Sequence, residues 1–368
     1  MRSDQPPDLL RSAAASREAA HTREGEHADR DCQAVHRRGR EAGSHGRSGE
    51  RQYFLEEYWH WIPDPLLGEG RARERAVCAA AQARLVQGAE VEAFESAFAA
   101  YHGARHAVAM NNGTAALMAA MMAHGFGPGD EVIIPAFTFF ATASAVLSVK
   151  AVPVFADIDP ATFCLSPAAA EAAITPRTVA IMPVHLYGHP AAMARFEAIC
   201  QAHGLALLED AAQAHGAAIG ERRVGTWGTA CFSFYPSKNI TTGEGGMVLT
   251  NDDAIARQLR MIRNQGMNQQ YYHEVVGYNF RLTNLAAAIG RQQLARLPEW
   301  TRQRIANAAY FNAHLKSVQP PITAPGCTHV YHQYTVRVPE GADRDAVLRR
   351  LNERGVGARV YYPIPIHR

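Results

Sequence analysis

The chain has 368 residues, 47% of them hydrophobic, with 37 lysines and arginines against 35 aspartates and glutamates. That supplies core for one large or two ordinary domains, while a net charge of +2 offers neither the basic field of a nucleic-acid binder nor an acidic tail. Cys32, Cys78, Cys164, Cys200, Cys231 and Cys327 lie far apart with no C-x-x-C pair, which argues against zinc and against a disulfide framework. They point to a reducing cytoplasm. The apolar stretches are too short to span a bilayer, and the opening residues lack the apolar centre of a signal peptide. A cytoplasmic protein with no nucleic-acid or membrane partner is expected.

Residues 1–52 are dominated by Arg, Glu, His, Gly and Ser, with Leu9, Leu10 and Val35 as their large aliphatic residues. Such a segment buries too little apolar surface to offset its ordering entropy, so it reads as a disordered extension. From Tyr53 the pattern turns globular, with a large domain expected over 53–300 and a small C-terminal one over 301–368. Arg71–Leu85 and Val91–Tyr101 read as amphipathic helices separated at Gly88. Strands are expected at His106–Met110, Glu131–Ile134, Val152–Phe155, Val179–Val184, Leu205–Leu208, Ala230–Phe234 and Met247–Thr250. Helices are expected between the first five of them, at Thr114–Ala123, Thr142–Ser148, Pro167–Ala173 and Ala192–His203. This alternation is the signature of an α/β fold on a mostly parallel, seven-stranded sheet covered on both faces. A long helix, Asn284 to about Leu315, should lead out of it. A strand at Tyr331–Val338, a helix near Arg344–Arg354 and a strand at Ala358–Tyr362 complete an α+β piece.

Lysine is rare, with only Lys150, Lys238 and Lys316 in the chain. Lys238 lies in Phe232-Ser233-Phe234-Tyr235-Pro236-Ser237-Lys238-Asn239, and an apolar run upstream ends in Glu209-Asp210-Ala211-Ala212-Gln213. Taken singly, these are a loop lysine and a helix-capping aspartate. Together they suit pyridoxal phosphate chemistry, in which a lysine forms a Schiff base and an acid keeps the pyridine nitrogen protonated. Asn112-Gly113-Thr114 opens a helix after the first strand, where free N–H groups favour a phosphate. Ser233 is placed to add a donor there, and Gln213 one turn beyond Asp210 is placed to reach the cofactor's phenolic oxygen. Phe139 follows the second strand at the sheet edge where α/β proteins bind ligands, as an aromatic that can stack on a flat ring. His185 and Tyr187 bring further rings to that edge from the fourth strand. The chain has no G-x-x-x-x-G-K-[ST] loop, no G-x-G-x-x-G after a strand, no G-x-S-x-G elbow and no metal-spaced histidines.

As a set, Asn112 to Thr114, Pro183 to Gly188, Glu209 to Ala217, Phe232 to Asn239, Gly243 to Met247 and Gly277 to Arg281 closely resemble the DegT/StrS-type nucleotide-sugar aminotransferases. The likeness runs in order from about Trp61 to His367. It implies an aspartate-aminotransferase-like fold and a pyridoxal 5'-phosphate enzyme that moves an amino group, with glutamate as donor, onto a nucleotide-linked keto-sugar. It also implies that Lys238 binds the cofactor covalently, Asp210 pairs with the pyridine nitrogen, Gln213 bonds the ring oxygen, and Phe139 stacks on the ring. Gly113, Thr114 and Ser233 are then phosphate contacts, and Asn279 reaches the phosphate of a neighbouring subunit, so a homodimer is expected. His185, Tyr187, Arg281, His332, Tyr361 and Tyr362 are the implied substrate contacts. Members of that family continue past the segment matching Tyr362–His367, so the small domain is expected to be incomplete. Two alternatives remain at this point. One is a catalytically silent, regulatory cofactor-binding protein; the other is a related sugar dehydratase, which carries histidine where this chain has Lys238.

Overall fold

Seven short apolar runs pair into one sheet, and several are buried at every position, as a sheet covered on both faces requires. The computed structural model describes residues 85–368. The expected extension over 1–52 and nearly all of the Arg71–Leu85 helix lie outside the described residues. The strands are β1 (His106–Met110), β2 (Glu131–Pro135), β3 (Val152–Ala156), β4 (Thr178–Ile181), β5 (Ala206–Asp210), β8 (Thr229–Ser233) and β9 (Gly246–Thr250). Their order across the sheet is β1-β9-β8-β5-β4-β2-β3. β9 runs antiparallel to β1 and β8, and every other neighbouring pair is parallel. The chain therefore leaves β1, β2, β4, β5 and β8 at the same edge, the edge where open α/β sheets bind ligands.

Alternation within each strand sends neighbouring residues to opposite faces. From β1, Val108 and Met110 join Val132, Ile134 and Val248 against the small-residue face of α2 (Gly113–Ala123), with α3 (Ala141–Ser148) and α6 (Asp253–Ile262) beside it. Ala107 and Ala109 face the other way, with Phe232, Met247 and Leu249, onto Phe94 and Phe98 of α1 (Ala89–His102) and Leu294 and Leu297 of α7 (Asn284–His314). Farther along that side, Ile133 and Ile181 pack on Ala170 of α4 (Pro167–Ala172) and on Met193, Phe196 and Ile199 of α5 (Met193–His203).

Phe98 is the centre of the second cluster. Its ring lies 5.1 Å from Phe232, 5.4 Å from Phe234 and 5.9 Å from Phe94, all steeply inclined, the geometry aromatic quadrupoles favour. His215 packs its ring among Phe98, Phe232 and Phe234, and burial holds its pKa far below that of a free imidazole. This cluster lies under the strand end that carries the Lys238 loop. Close packing brings α7 onto α1: a Cβ on Gly290 would fall 2.6 Å from the Phe94 ring.

Most expected elements stand within one or two residues of their expected bounds. The fourth strand is shorter than Val179–Val184 because Pro183 has no N–H to give the ladder. α6 was not anticipated, although Asp252 caps it on the N–H groups of Ala254 and Ile255, and Ile255, Leu259 and Ile262 recur at helical spacing. Two expectations fail in the C-terminal part. Neither Tyr331–Val338 nor Ala358–Tyr362 is a strand: the first keeps a single bridge, Gln319 to Arg337, and the second pairs with nothing among the described residues. β-propensity needs a neighbouring strand before it becomes a ladder. The helix there, α8 (Arg344–Glu353), does form, capped by Asp343. Short pairs not foreseen join β12 (Cys327–Thr328) and β7 (Arg222–Arg223) to β6 (Ala218–Ile219), and β10 (Met267–Gln269) to β11 (Tyr272–His273). No described helix is long and apolar enough to cross a membrane.

Truncating Phe98, fully buried at the aromatic centre, to alanine is expected to destabilise the fold by about 3–5 kcal/mol, the usual cost of emptying a core phenylalanine site. Urea unfolding of Phe98→Ala against the parent measures it; a loss under about 1 kcal/mol would mean that the cluster is not the core.

Candidate active site

Five chain segments leave the sheet at its ligand-binding edge and wall a cavity of about 870 Å³. Each brings one chemical group because of how it ends locally. After β1 the chain turns at Asn112, whose carbonyl side-chain oxygen accepts the Ala115 N–H at 2.8 Å and starts α2. The N–H groups of Gly113 and Thr114 are left for a ligand at the positive end of the helix. Here glycine is a steric necessity: a Cβ on Gly113 would sit 2.6 Å from Ser233 Cβ and 3.0 Å from its Oγ. The first turn of α2 and the end of β8 thus press together into one small cradle of N–H and O–H donors. Gly246, at the start of β9, passes so close that a Cβ would lie 2.3 Å from the Asn112 carbonyl oxygen.

Asp210 ends β5 with 5% of its surface exposed, facing the cavity. Oδ2 accepts the Thr142 hydroxyl at 2.8 Å, and Oδ1 accepts the Ala212 N–H at 3.2 Å. Burial pushes its pKa up, and those two donors with the charge of Lys238 act against the push. Lys238 lies in the turn after β8, half-buried, with its backbone N–H on the Tyr235 carbonyl at 2.9 Å. Burial lowers its pKa and the Asp210 charge opposes the shift. Phe139, from the loop after β2, is 60% exposed on the cavity wall, where its ring is free to be covered by a flat ligand.

Gln213 is more constrained than its place in the sequence suggests. Its Oε1 accepts the Tyr187 N–H at 2.6 Å and its Nε2 donates to the Tyr362 hydroxyl at 2.8 Å, so one N–H remains for a ligand. Tyr361, Tyr362 and Ile366 arrive from the C-terminal segment and close that side of the cavity, tied down by the Ile366 N–H on the Ala136 carbonyl at 3.0 Å. Burial pushes the Tyr362 hydroxyl up to about 12. His332 also lines the cavity, hydrogen-bonded through Nδ1 to Asn239 at 3.3 Å; burial, then Lys238 and Arg304, lower it to about 3.

Four expected site residues do not line this cavity. His185 is fully buried: Nε2 meets Glu209 at 3.2 Å and Nδ1 accepts the Ala191 N–H at 3.0 Å, so no nitrogen is left for substrate. Glu209 in turn accepts the N–H groups of Gly225, Trp227 and Gly228. Burial alone would raise its carboxyl, and His185 with these donors outweighs that and holds it low. His185 is therefore a brace beneath the site. Tyr187 is buried too, its ring stacked 6.1 Å from Tyr362, so it supports the wall from behind. Arg281 turns to Asn264 Oδ1 at 3.0 Å. Asn279 is exposed on the surface beside Asn111, whose Nδ2 reaches its carbonyl at 3.5 Å. Sequence reasoning missed Thr138 and Thr142, though threonines four apart at a helix start are a signal for stacked hydroxyls; their Oγ atoms lie 3.1 Å apart.

A donor cradle that excludes even a methyl group, an exposed ring face, a buried carboxylate and a lysine of lowered pKa line one cavity, and they fit pyridoxal phosphate. The fold and this site define a pyridoxal-phosphate-dependent aminotransferase. The chain belongs to the DegT/DnrJ/EryC1/StrS aminotransferase family, which it matches over residues 69–368. It is 46% identical to a pleiotropic regulatory protein of Geobacillus stearothermophilus over 291 residues, 77% of each chain. It is also 46% identical to the UDP-N-acetyl-3-dehydro-alpha-D-glucosamine 3-aminotransferase of Acidithiobacillus ferrooxidans, over 77% of this chain and 78% of that one. Among solved structures, Streptomyces venezuelae DesV, determined with a ketimine intermediate, superposes with a TM-score of 0.77 at 42% identity over 80% of each chain.

Because the lowered Lys238 pKa populates the neutral amine at lower pH than in free lysine, capture of added pyridoxal phosphate by the cofactor-free chain should accelerate with pH through a midpoint below 10.5. Asp210→Asn removes the charge that opposes the shift and moves the midpoint further down. Absorbance stopped-flow reads both, and a midpoint at the ordinary lysine value would contradict the assignment.

Proposed function

We propose that this enzyme moves an amino group from glutamate onto a ketone of a nucleotide-linked sugar, in the cytoplasm and as a homodimer. The observation that carries the reading is the convergence of Lys238, Asp210, the Gly113–Thr114–Ser233 cradle and Phe139 on one cavity. The nucleotide-sugar substrate named for the Acidithiobacillus ferrooxidans relative supports the substrate class. Lys238 also distinguishes the reading from a dehydratase with histidine at that position, whereas a silent cofactor-binding protein would share the lysine and differ by giving no response to amino donors.

The N–H groups of Gly113 and Thr114 and the Ser233 hydroxyl would hold the cofactor phosphate, Phe139 one face of its ring, Gln213 the ring oxygen, and Asp210 the pyridine nitrogen. When bound, the cofactor supplies an electron sink for the bond broken at the donor's α-carbon and an amine carrier between the two half-reactions. The rest is the work of this chain. Lys238 Nζ attaches the cofactor and, once displaced by the donor amine, takes and returns protons as base and acid in both halves. Its lowered pKa lets it release a proton more readily than a free lysine does. Asp210 stays in place because two donors grip its two oxygens. Tyr361, Tyr362 and His332 line the cavity and would contact the sugar.

Purified enzyme offered glutamate should bleach the absorbance of its bound cofactor, and a panel of nucleotide-linked keto-sugars should restore it for one of them. Lys238→Ala should abolish both steps, since Lys150 and Lys316 do not line the cavity. Bleaching by no amino donor, or amino transfer that survives Lys238→Ala, would overturn the reading.

Lys238 is the single lysine or arginine lining the cavity among the described residues, which leaves the phosphates short of partners within one chain. Asn279, exposed and outside its own chain's cavity, supports a site completed by Asn279 of the partner subunit. Mixed Lys238→Ala and Asn279→Asp chains, each inactive alone, should then regain activity in hybrid dimers, because one site of each hybrid unites the intact lysine with the intact asparagine. Hybrids verified by two affinity tags that stay inactive would place Asn279 in its own chain's site.

A further inference from the structure

The loop between β2 and α3 does more than present Phe139. Thr138 is 1% exposed and Thr142 fully buried, and their hydroxyls and the Asp210 carboxylate form a continuous line, with Thr138 Oγ 3.1 Å from Thr142 Oγ and Thr142 Oγ 2.8 Å from Asp210 Oδ2. A carboxylate accepts hydrogen bonds and does not donate them, so the Thr142 proton points to Asp210. The Thr142 oxygen then has only lone pairs to offer, and Thr138 must be the donor to it. The direction of both bonds follows from chemistry rather than from any choice of rotamer. Bonds aligned this way polarise one another and present a stronger donor to the charge at the end.

We propose that Thr138 and Thr142 are positioning residues, a polarised pair of hydroxyls that keeps the Asp210 carboxylate ionised and turned into the cavity. The site gives such a device a task. Asp210 is buried, and burial favours its neutral form, which cannot stabilise a protonated pyridine nitrogen. The other ionisable groups around it pull in different directions. Lys238 and His185 favour its charge, whereas the adjacent Glu209 carboxylate, Cys231 and Tyr362 offer no positive charge. Lys238 is also the group that must give up its proton in each cycle, so the chain's only nearby lysine is an intermittent support. The hydroxyl pair is permanent. The same five-residue turn, Thr138 to Thr142, carries Phe139 on the cavity wall, so ring face and charge are set by one rigid piece of backbone in which the Thr142 N–H bonds the Phe139 carbonyl at 3.2 Å.

This inference rests on Asp210 being the partner of the pyridine nitrogen, but its principal readout needs neither sugar nor amino donor. The pH at which Asp210 takes up a proton is measured by difference infrared spectroscopy of the full chain, free and loaded with cofactor, with the Asp210→Asn variant identifying the band. Thr142→Val is nearly isosteric and lacks the donor; it should raise the Asp210 midpoint and slow the single-turnover reaction with glutamate about tenfold, as expected for one lost hydrogen bond to a charge. Thr142→Ser keeps a hydroxyl and should return the midpoint toward that of the parent, which a loss of packing alone would not do. Thr138→Val should move it in the same direction by less. A Thr142→Val midpoint equal to that of the parent, or a Thr142→Ser protein that titrates like Thr142→Val, overturns the proposal. If circular dichroism shows that Thr142→Val does not fold, Thr138→Val decides: no rise in the midpoint overturns it. A normal titration with no response to glutamate would instead count against the proposed amino donor and leave the hydroxyl pair standing.

Discussion

A carboxylate held at 5% exposure inside a protein is the constraint from which the rest of this site follows. Asp210 stands at the end of a strand with neighbours on both sides, so water is largely excluded and the ionised form would be expensive without partners. The structure answers with a donor on each oxygen and a lysine across the cavity. Each donor in turn fixes something else. Thr142 ties the first turn of α3 to the end of β5, and Ala212 ties down the turn after it. Even the residue before it is treated this way: Glu209 points to the opposite face and accepts three backbone N–H groups and His185 there. The end of β5 is thus clamped by charge on both faces of the sheet.

The second determinant is close approach. The phosphate cradle exists because α2 begins within van der Waals reach of β8, and only a residue without a Cβ permits that at position 113. Gly246 does the same for the crossing of β9 against Asn112. Two strands far apart in the chain thereby deliver their donors to one point, and the dipole of α2 adds to them. Such an arrangement is rigid by packing rather than by bonding, which suits a cofactor that must stay fixed while substrates come and go.

The C-terminal segment supplies another wall of the cavity. It contributes Tyr361, Tyr362 and Ile366 but no ladder hydrogen bonds, and it is held by a few contacts, chiefly Gln213 to Tyr362 and Ile366 to Ala136. Gln213 therefore ties the C-terminal segment to the segment that follows β5. A change in the segment that carries Tyr362 would be felt at Gln213, whose amide joins that segment to the backbone of Tyr187.

Much of this was legible in the residues themselves. The sheet's strands, most of its helices, and the gathering of Lys238, Asp210, Gly113, Thr114, Ser233 and Phe139 at one edge could be read from apolar periodicity and from motifs at strand ends, because those signals are local. What only the tertiary structure decided were relations across the chain. His185 and Tyr187 share a motif with the active-site edge, yet packing against Glu209 and Tyr362 turns them into braces. The segments 331–338 and 358–362 have the composition of strands, but a ladder needs a partner, and among the described residues only the single Gln319–Arg337 bridge forms. The spacing of Thr138 and Thr142 hints at stacked hydroxyls, but only folding sets Thr142 2.8 Å from a carboxylate 68 residues away. Local sequence determines which conformations and chemistries are available to each segment; which of them is used depends on contacts whose partners are distant in the chain, and those come into being only when the sheet has assembled.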